Sequence, residues 1–186
     1  DHVTASGDVD GEGFRMFAES LQRRHQGIQS IMWVVPVKGE GRAAFEAAAM
    51  GEGEYPLSQH GERMELVSAG ERAEYFPVLH MVPEQGYGIP RGFDLGSIPG
   101  FTNTLSRARD QGDVSVSGRI NFPASEGAVK YGFMVASPVF ARDALFETAE
   151  QRRTNLSGFV VGFIQLENLT NAAISLLEPR GVEILM

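Results

Sequence analysis

The apolar residues of this chain come in short runs. The longest, IMWVVPV, covers Ile31 to Val37 and has Pro36 inside it. A bilayer-crossing helix needs roughly 18–20 apolar residues, so no such helix is expected within the chain. A run of that length, rich in β-branched residues and extended by Ile28-Gln29-Ser30, reads instead as a buried strand. The fold must therefore be assembled from several short elements that cover one another.

Phe14, Phe17, Ala18 and Leu21 recur at helical spacing. The helix they predict ends at Arg23-Arg24-His25 and Gly27, with cations where the helix dipole favours them. After strand 28–37, Gly39 and Gly41 break the chain and RAAFEAAAM (42–50) predicts a second helix. Short strands are expected at 55–59 and 63–67, then a longer one at 74–82. In that last strand Pro77 lacks an N–H and demands an edge or a bulge. Ser97 is expected to cap a helix that has Pro99 in its first turn and Ile98, Phe101, Leu105 and Ala108 as its apolar stripe, with Gly112 ending it.

Beyond Gly112 the plan recurs in outline. Val114, Val116, Ile120 and Phe122 alternate as a strand pair, followed by a strand at 131–140, a helix around 143–153 and a strand at 158–166. A final helix is expected to carry Leu166, Leu169, Ala173 and Leu176 on one face. The order predicts an α+β protein: an N-terminal helical segment (1–27), a first lobe with a linking helix (28–111) and a second lobe (112–186), each lobe a small antiparallel sheet with helices. A single α+β sandwich is the alternative.

Charge and composition narrow the chemistry. The 186 residues carry 24 acidic and 16 basic side chains, a net −8, with the cations scattered. Such a field disfavours nucleic acid as a partner. The absence of Cys rules out disulfides, thiolate metal sites and a thiol nucleophile. His2, His25, His60 and His80 form no HExxH pair, and there is no GxSxG elbow, Walker loop or GxGxxG after a strand. Asp8, Asp10, Glu12, Gly13 and Glu19 imitate the spacing of a calcium loop, but Arg15 at the eighth position favours a polar turn that caps the first helix. Glu52, Glu54, Glu71 and Glu74 lie in stretches that read as solvated. His80 reads as a strand histidine satisfied by a hydrogen bond or by water. Asp94, between Phe93 and Leu95, is expected to bond backbone N–H groups at a junction. A secreted hydrolase using Asp94 or Glu84 with His80, or a dimerisation module with no ligand, is the alternative function, and no cofactor is expected.

Six ordered blocks carry a resemblance: SIMWVVPVKGEGRAAFE (30–46), EYFPVLHMVPE (74–84), GFDLGS (92–97), LSRARDQGDVSVSGRI (105–120), VKYGFMVASPVF (129–140) and LSGFVVGFIQLENL (156–169). Together they resemble the CHASE domain, over most of the chain from about Val9 to Leu177. The resemblance implies an extracytoplasmic, non-catalytic sensor held between two transmembrane helices of a homodimeric receptor, with a histidine kinase, diguanylate cyclase or similar output in the cytoplasm. It also implies two tandem PAS-like lobes, the membrane-distal one first and holding an unidentified small molecule. The family's stalk helix is missing before Asp1, so an excised piece is expected. Where plant members carry a ligand-binding aspartate this chain has Pro83, followed by Glu84; their strand threonine falls on Ser117, and Leu105 matches a position near their ligand.

A pocket of this kind needs an apolar interior with few polar groups. Strand alternation puts Tyr75, Leu79 and Met81 on one face, with Trp33 and Val35 facing them from the first strand. Phe93, Leu105 and Ser117 complete the expected ligand-binding set.

Overall fold

The apolar run at 28–37 outlasts its strand. In the computed structural model, which describes residues 9–25, 27–49, 57–83, 89–123 and 129–175, β1 covers Ile28–Val34 and the chain resumes as β2, Val37–Lys38. Pro36 between them offers the ladder no N–H. Both edges of β1 are paired, antiparallel, to β6 (Val78–Val82) and to β10 (Leu156–Gln165). β10 pairs in turn with β9 (Val129–Phe140), and β9 carries both β7 (Ser115–Val116) and β8 (Ile120–Pro123). One six-stranded sheet results, in the order β6-β1-β10-β9-β7 with β8 also on β9.

Side-chain alternation gives this sheet two buried faces. Ile31, Trp33 and Val35 point to a core shared with Phe14 and Ala18 of helix α1 (Gly11–Arg24). Met32 and Val34 point the other way, to a core shared with Phe101, Leu105 and Ala108 of helix α3 (Pro99–Gln111). Phe159, Val161 and Phe163 of β10 join the α3 side, and Val160 the α1 side. A strand covered on both faces has no polar alternation, hence the unbroken apolar letters of β1.

Between β2 and β6 lie helix α2 (Arg42–Ala49) and the short strands β3 (Ser58–His60), β4 (Leu66–Ser68) and β5 (Glu74–Tyr75). β3 pairs with β4 and β5 with β2. Val37, Leu57, Ala69 and Tyr75 add to the α1-side core. The fold is thus mixed α+β with antiparallel sheets, and strands from both sides of residue 111 share the main sheet. β1 meets β10 at six registered positions. Apolar letters announce strands but not their partners, so the sequence grouped β1 with its chain neighbours alone.

Several boundaries shift for local reasons. The strand expected at 74–82 is split at Phe76-Pro77, and the register slips by one between Trp33–His80 and Val34–Val78, so Leu79 is a bulge residue. The strands expected at 55–59 and 63–67 appear as β3 and β4, with 55 and 56 outside the described residues. Ser97 sits in a 3-10 turn, so the residue before α3 is Ile98, without a side-chain cap, and Pro99 opens the helix. Gly112 ends α3 at φ 70°, a conformation glycine adopts without strain. The helix expected at 143–153 begins later, as α4 (Ala149–Asn155), because Thr148 and Gln151 form a reciprocal capping box. Helix α5 (Leu166–Ser175) keeps Leu166 and Leu169 partly exposed.

Charged side chains fasten the C-terminal end of α3. Arg152 donates to the Asp110 carbonyl at 2.6 and 2.9 Å, and Arg153 to the Asp110 carboxylate at 2.6 and 3.0 Å. These bonds from Arg153, with that from Arg109, hold the Asp110 carboxyl down at about 2. Arg109 also grips Glu74 of β5 at 2.8 Å.

Candidate functional site

The GFD tripeptide sits at a junction rather than in an open site. Asp94 is fully buried. Its Oδ1 accepts from the Phe76 N–H at 2.7 Å and the Gly96 N–H at 2.9 Å, and its Oδ2 from Arg72 Nη1 at 2.8 Å. Arg72 is held by Gln59 Oε1 at 2.7 Å, and the Tyr75 hydroxyl accepts from Arg72 N–H and Arg42 Nη1. Both carboxylate oxygens are thus occupied by donors of the protein itself. The junctional role expected for Asp94 is therefore the one it has.

An open cleft of about 650 Å³ lies elsewhere, where α1 crosses the sheet edge formed by β6. Its floor is Val78 to Val82. One wall is the first turn of α1, with Gly11, Glu12, Phe14 and Arg15; the other is Pro90 and Arg91. The approach is close enough that a Cβ on Gly11 would lie 3.0 Å from the His80 Cε1 atom. The Phe14 and His80 rings lie 5.9 Å apart between centroids. Gln22 fastens α1 to this edge, its amide donating to the carbonyls of Val82 and Gln29 at 3.2 and 3.1 Å.

Arg91 stands on a rigid base. The Phe93 N–H donates to the Pro90 carbonyl at 3.1 Å and Gly92 takes φ 82°, the signature of a type II turn with glycine at its third position. Gly92 is further bonded through its N–H to the Val78 carbonyl and through its carbonyl to the Ser58 N–H. Across the cleft, Asp10 caps α1 by accepting from the N–H groups of Glu12 and Gly13, as the reading of that stretch as a capping turn expects; Asp8 lies outside the described residues.

His80 is half-buried between these walls. Burial and then the Arg91 charge lower its pKa from 6.5, opposed by the Val9 backbone and by Asp10; Glu12 and Arg15 are the other charged groups lining the cleft. The folded chain therefore binds this proton more weakly than the unfolded chain. Stability should fall as pH drops below about 6.5. His80→Gln is expected to flatten that part of the pH–stability curve, and chemical denaturation across this pH range measures it; an unchanged slope would place the proton uptake elsewhere.

Comparison with known families decides what class of domain holds this cleft. The CHASE domain model matches residues 7–185. The chain belongs to the CHASE domain family. CHASE domains are extracytoplasmic sensors of signalling receptors that bind small ligands and are not catalysts. A search of curated proteins finds no match. No helix among the described residues is long and apolar enough to cross a membrane.

In this CHASE domain the eight residues expected to bind ligand are dispersed. Leu79 and Met81 line the cleft. Trp33, Val35 and Tyr75 lie in the α1-side core, and Phe93 and Leu105 in the α3-side core. Ser117 bonds the Met134 N–H and the Gly118 carbonyl. The bulge at Leu79 removes the simple alternation that had put Tyr75, Leu79 and Met81 on one face. His80, expected to be satisfied by a hydrogen bond or by water, lines the cleft and bonds the Val9 backbone. Glu84 lies outside the described residues. Gly11, Phe14, Arg15 and Arg91 were not singled out as binding residues; the signals available were the Pro-Arg-Gly turn and a glycine opening a helix.

Proposed function

We propose that this domain senses a small molecule held in the cleft between α1 and β6. The observation that carries the proposal is the cleft itself: its volume lies in the range of small-molecule sites, roughly 300–1,000 Å³, and its floor and walls come from different elements. An occupant touching both the first turn of α1 and the Pro90-Arg91 turn would bias how α1 rides on the sheet. Coupling of about 1–3 kcal/mol between occupancy and helix position suffices for signalling. In this reading the domain belongs to a homodimeric receptor with flanking transmembrane helices and a cytoplasmic kinase or cyclase output, and α1 is the element that passes the change on. The tandem PAS-like layout belongs to the same reading, with β1 shared between the lobes because it pairs with both β6 and β10.

The test is a thermal-shift screen of metabolites against the native chain and Leu79→Trp, which narrows the cleft floor. A ligand at a hundredfold excess over Kd adds about 2.7 kcal/mol, or about 5–10 °C in a domain of this size. Shifts lost in the folded variant support the cleft. Shifts of equal size in both proteins would move the site elsewhere.

A further inference from the structure

Two charges in the cleft have no partner among the described residues. Among the described residues neither the Glu12 carboxylate nor the Arg91 guanidinium makes an ion pair or a hydrogen bond, although both residues are within the lining. Arg15, the third charge there, is shared with Glu19 at 3.2 Å. The two groups have opposite sign and come from different elements of the lining, Glu12 from α1 and Arg91 from the Pro90–Phe93 turn. The β6 residues of the lining, Val78 to Val82, are apolar except for His80.

We infer that the cleft takes a small zwitterion, an amino acid or a related amino-carboxylate, with its carboxylate at Arg91, its ammonium at Glu12 and its apolar side chain over Met81, Val82 and Phe14. The inference rests on the cleft being the ligand site and adds the chemical class of the occupant. Arg91 presents a planar donor fork suited to a carboxylate, and the bonded Pro90–Phe93 turn fixes where that fork starts. Preorganisation of this kind lowers the ordering cost of binding. A purely anionic ligand would face Glu12 unpaired, and a purely cationic one would face Arg91. Only a molecule bearing both charges answers both walls. The weaker proton affinity of His80, caused first by burial and then by the Arg91 charge, fits the same picture, because a carboxylate placed on that arginine would offset the second cause.

The experiment is an NMR titration of the native chain, following the His80 ring and the backbone amides of α1 and β6. The probes are phenylalanine, 3-phenylpropanoate, which lacks the ammonium, and phenethylamine, which lacks the carboxylate; leucine and tryptophan extend the series in side-chain size. Phenylalanine, leucine or tryptophan is expected to perturb Gly11, Glu12 and His80 and to raise the His80 pKa. Each single-charge analogue should bind at least tenfold more weakly than its zwitterion, since a charge-assisted hydrogen bond is worth about 1.5–3 kcal/mol. Arg91→Gln should cost the zwitterion tenfold or more, while Glu12→Gln should turn the preference towards 3-phenylpropanoate. The charge inference is overturned, with the cleft retained, if the analogues bind there as tightly as the amino acids or if neither substitution alters affinity. No response to any amino acid of the series at millimolar concentration also overturns it. Perturbations confined to other parts of the fold would remove the cleft reading itself.

Discussion

Replacing Asp94 by alanine should cost roughly 3–5 kcal/mol, the usual effect of removing one member of a buried, hydrogen-bonded charge pair. The substitution strips an acceptor from the N–H groups of Phe76 and Gly96 and the counter-charge from Arg72. Those groups hold the chain on both sides of Pro77, where β5 gives way to β6, so the loss reaches the floor of the cleft. With total stabilities of about 5–15 kcal/mol, such a variant would stand near the edge of folding. Asp94→Asn keeps one acceptor oxygen for the two N–H groups but turns its NH2 donor towards Arg72, losing that hydrogen bond with the charge, and should recover only part of the loss. Urea denaturation of the three proteins checks the order. A loss below about 1 kcal/mol for the alanine variant would show that Arg72 is not committed to this carboxylate.

The second large effect is expected at Gly158. A Cβ there would lie 2.6 Å from Trp33 Cζ2 and 2.7 Å from the Val34 carbonyl oxygen. Neither neighbour can retreat cheaply: Trp33 is buried and paired on both sides within β1, and so is Val34. Gly158→Ala should therefore destabilise by about 1–3 kcal/mol, the range for overpacking a filled core. Trp33 is the single tryptophan of the chain, so its fluorescence reports the displacement directly. In a double variant with Trp33→Phe, part of the cost should disappear, because the two changes share one contact. Unchanged emission together with unchanged stability would show slack around the ring.

Both predictions depend on residues whose types were visible in the sequence but whose neighbours were not. Asp94 was legible as a junctional acid because a carboxylate flanked by Phe93 and Leu95 must find donors. That its cation is Arg72 follows from how the chain threads past Ser58 and Pro77, where residues 93 and 94 form isolated bridges. Pro77 announced an interruption in its strand, and the interruption is there. The bulge at Leu79 could not be read, since nothing in VLHMV says which residue of β1 stands opposite. The site suffered most from this. Trp33, Val35, Tyr75, Phe93 and Leu105 were taken into the two cores, while Leu79 and Met81 line the open volume, which formed where a helix end, a strand edge and a turn fail to close on one another.

By itself the sequence determined the kind of elements, the buried character of β1, the end of α3 at Gly112 and the family blocks, because periodicity, proline and glycine act through local backbone geometry. Only the tertiary structure decided that β1 joins strands from both halves of the chain, that Asp94 is spent on holding a junction, and that Arg91 and Glu12 line one cleft. Those outcomes depend on which distant surfaces exclude water from one another, and a linear pattern of apolar and polar letters does not specify that pairing.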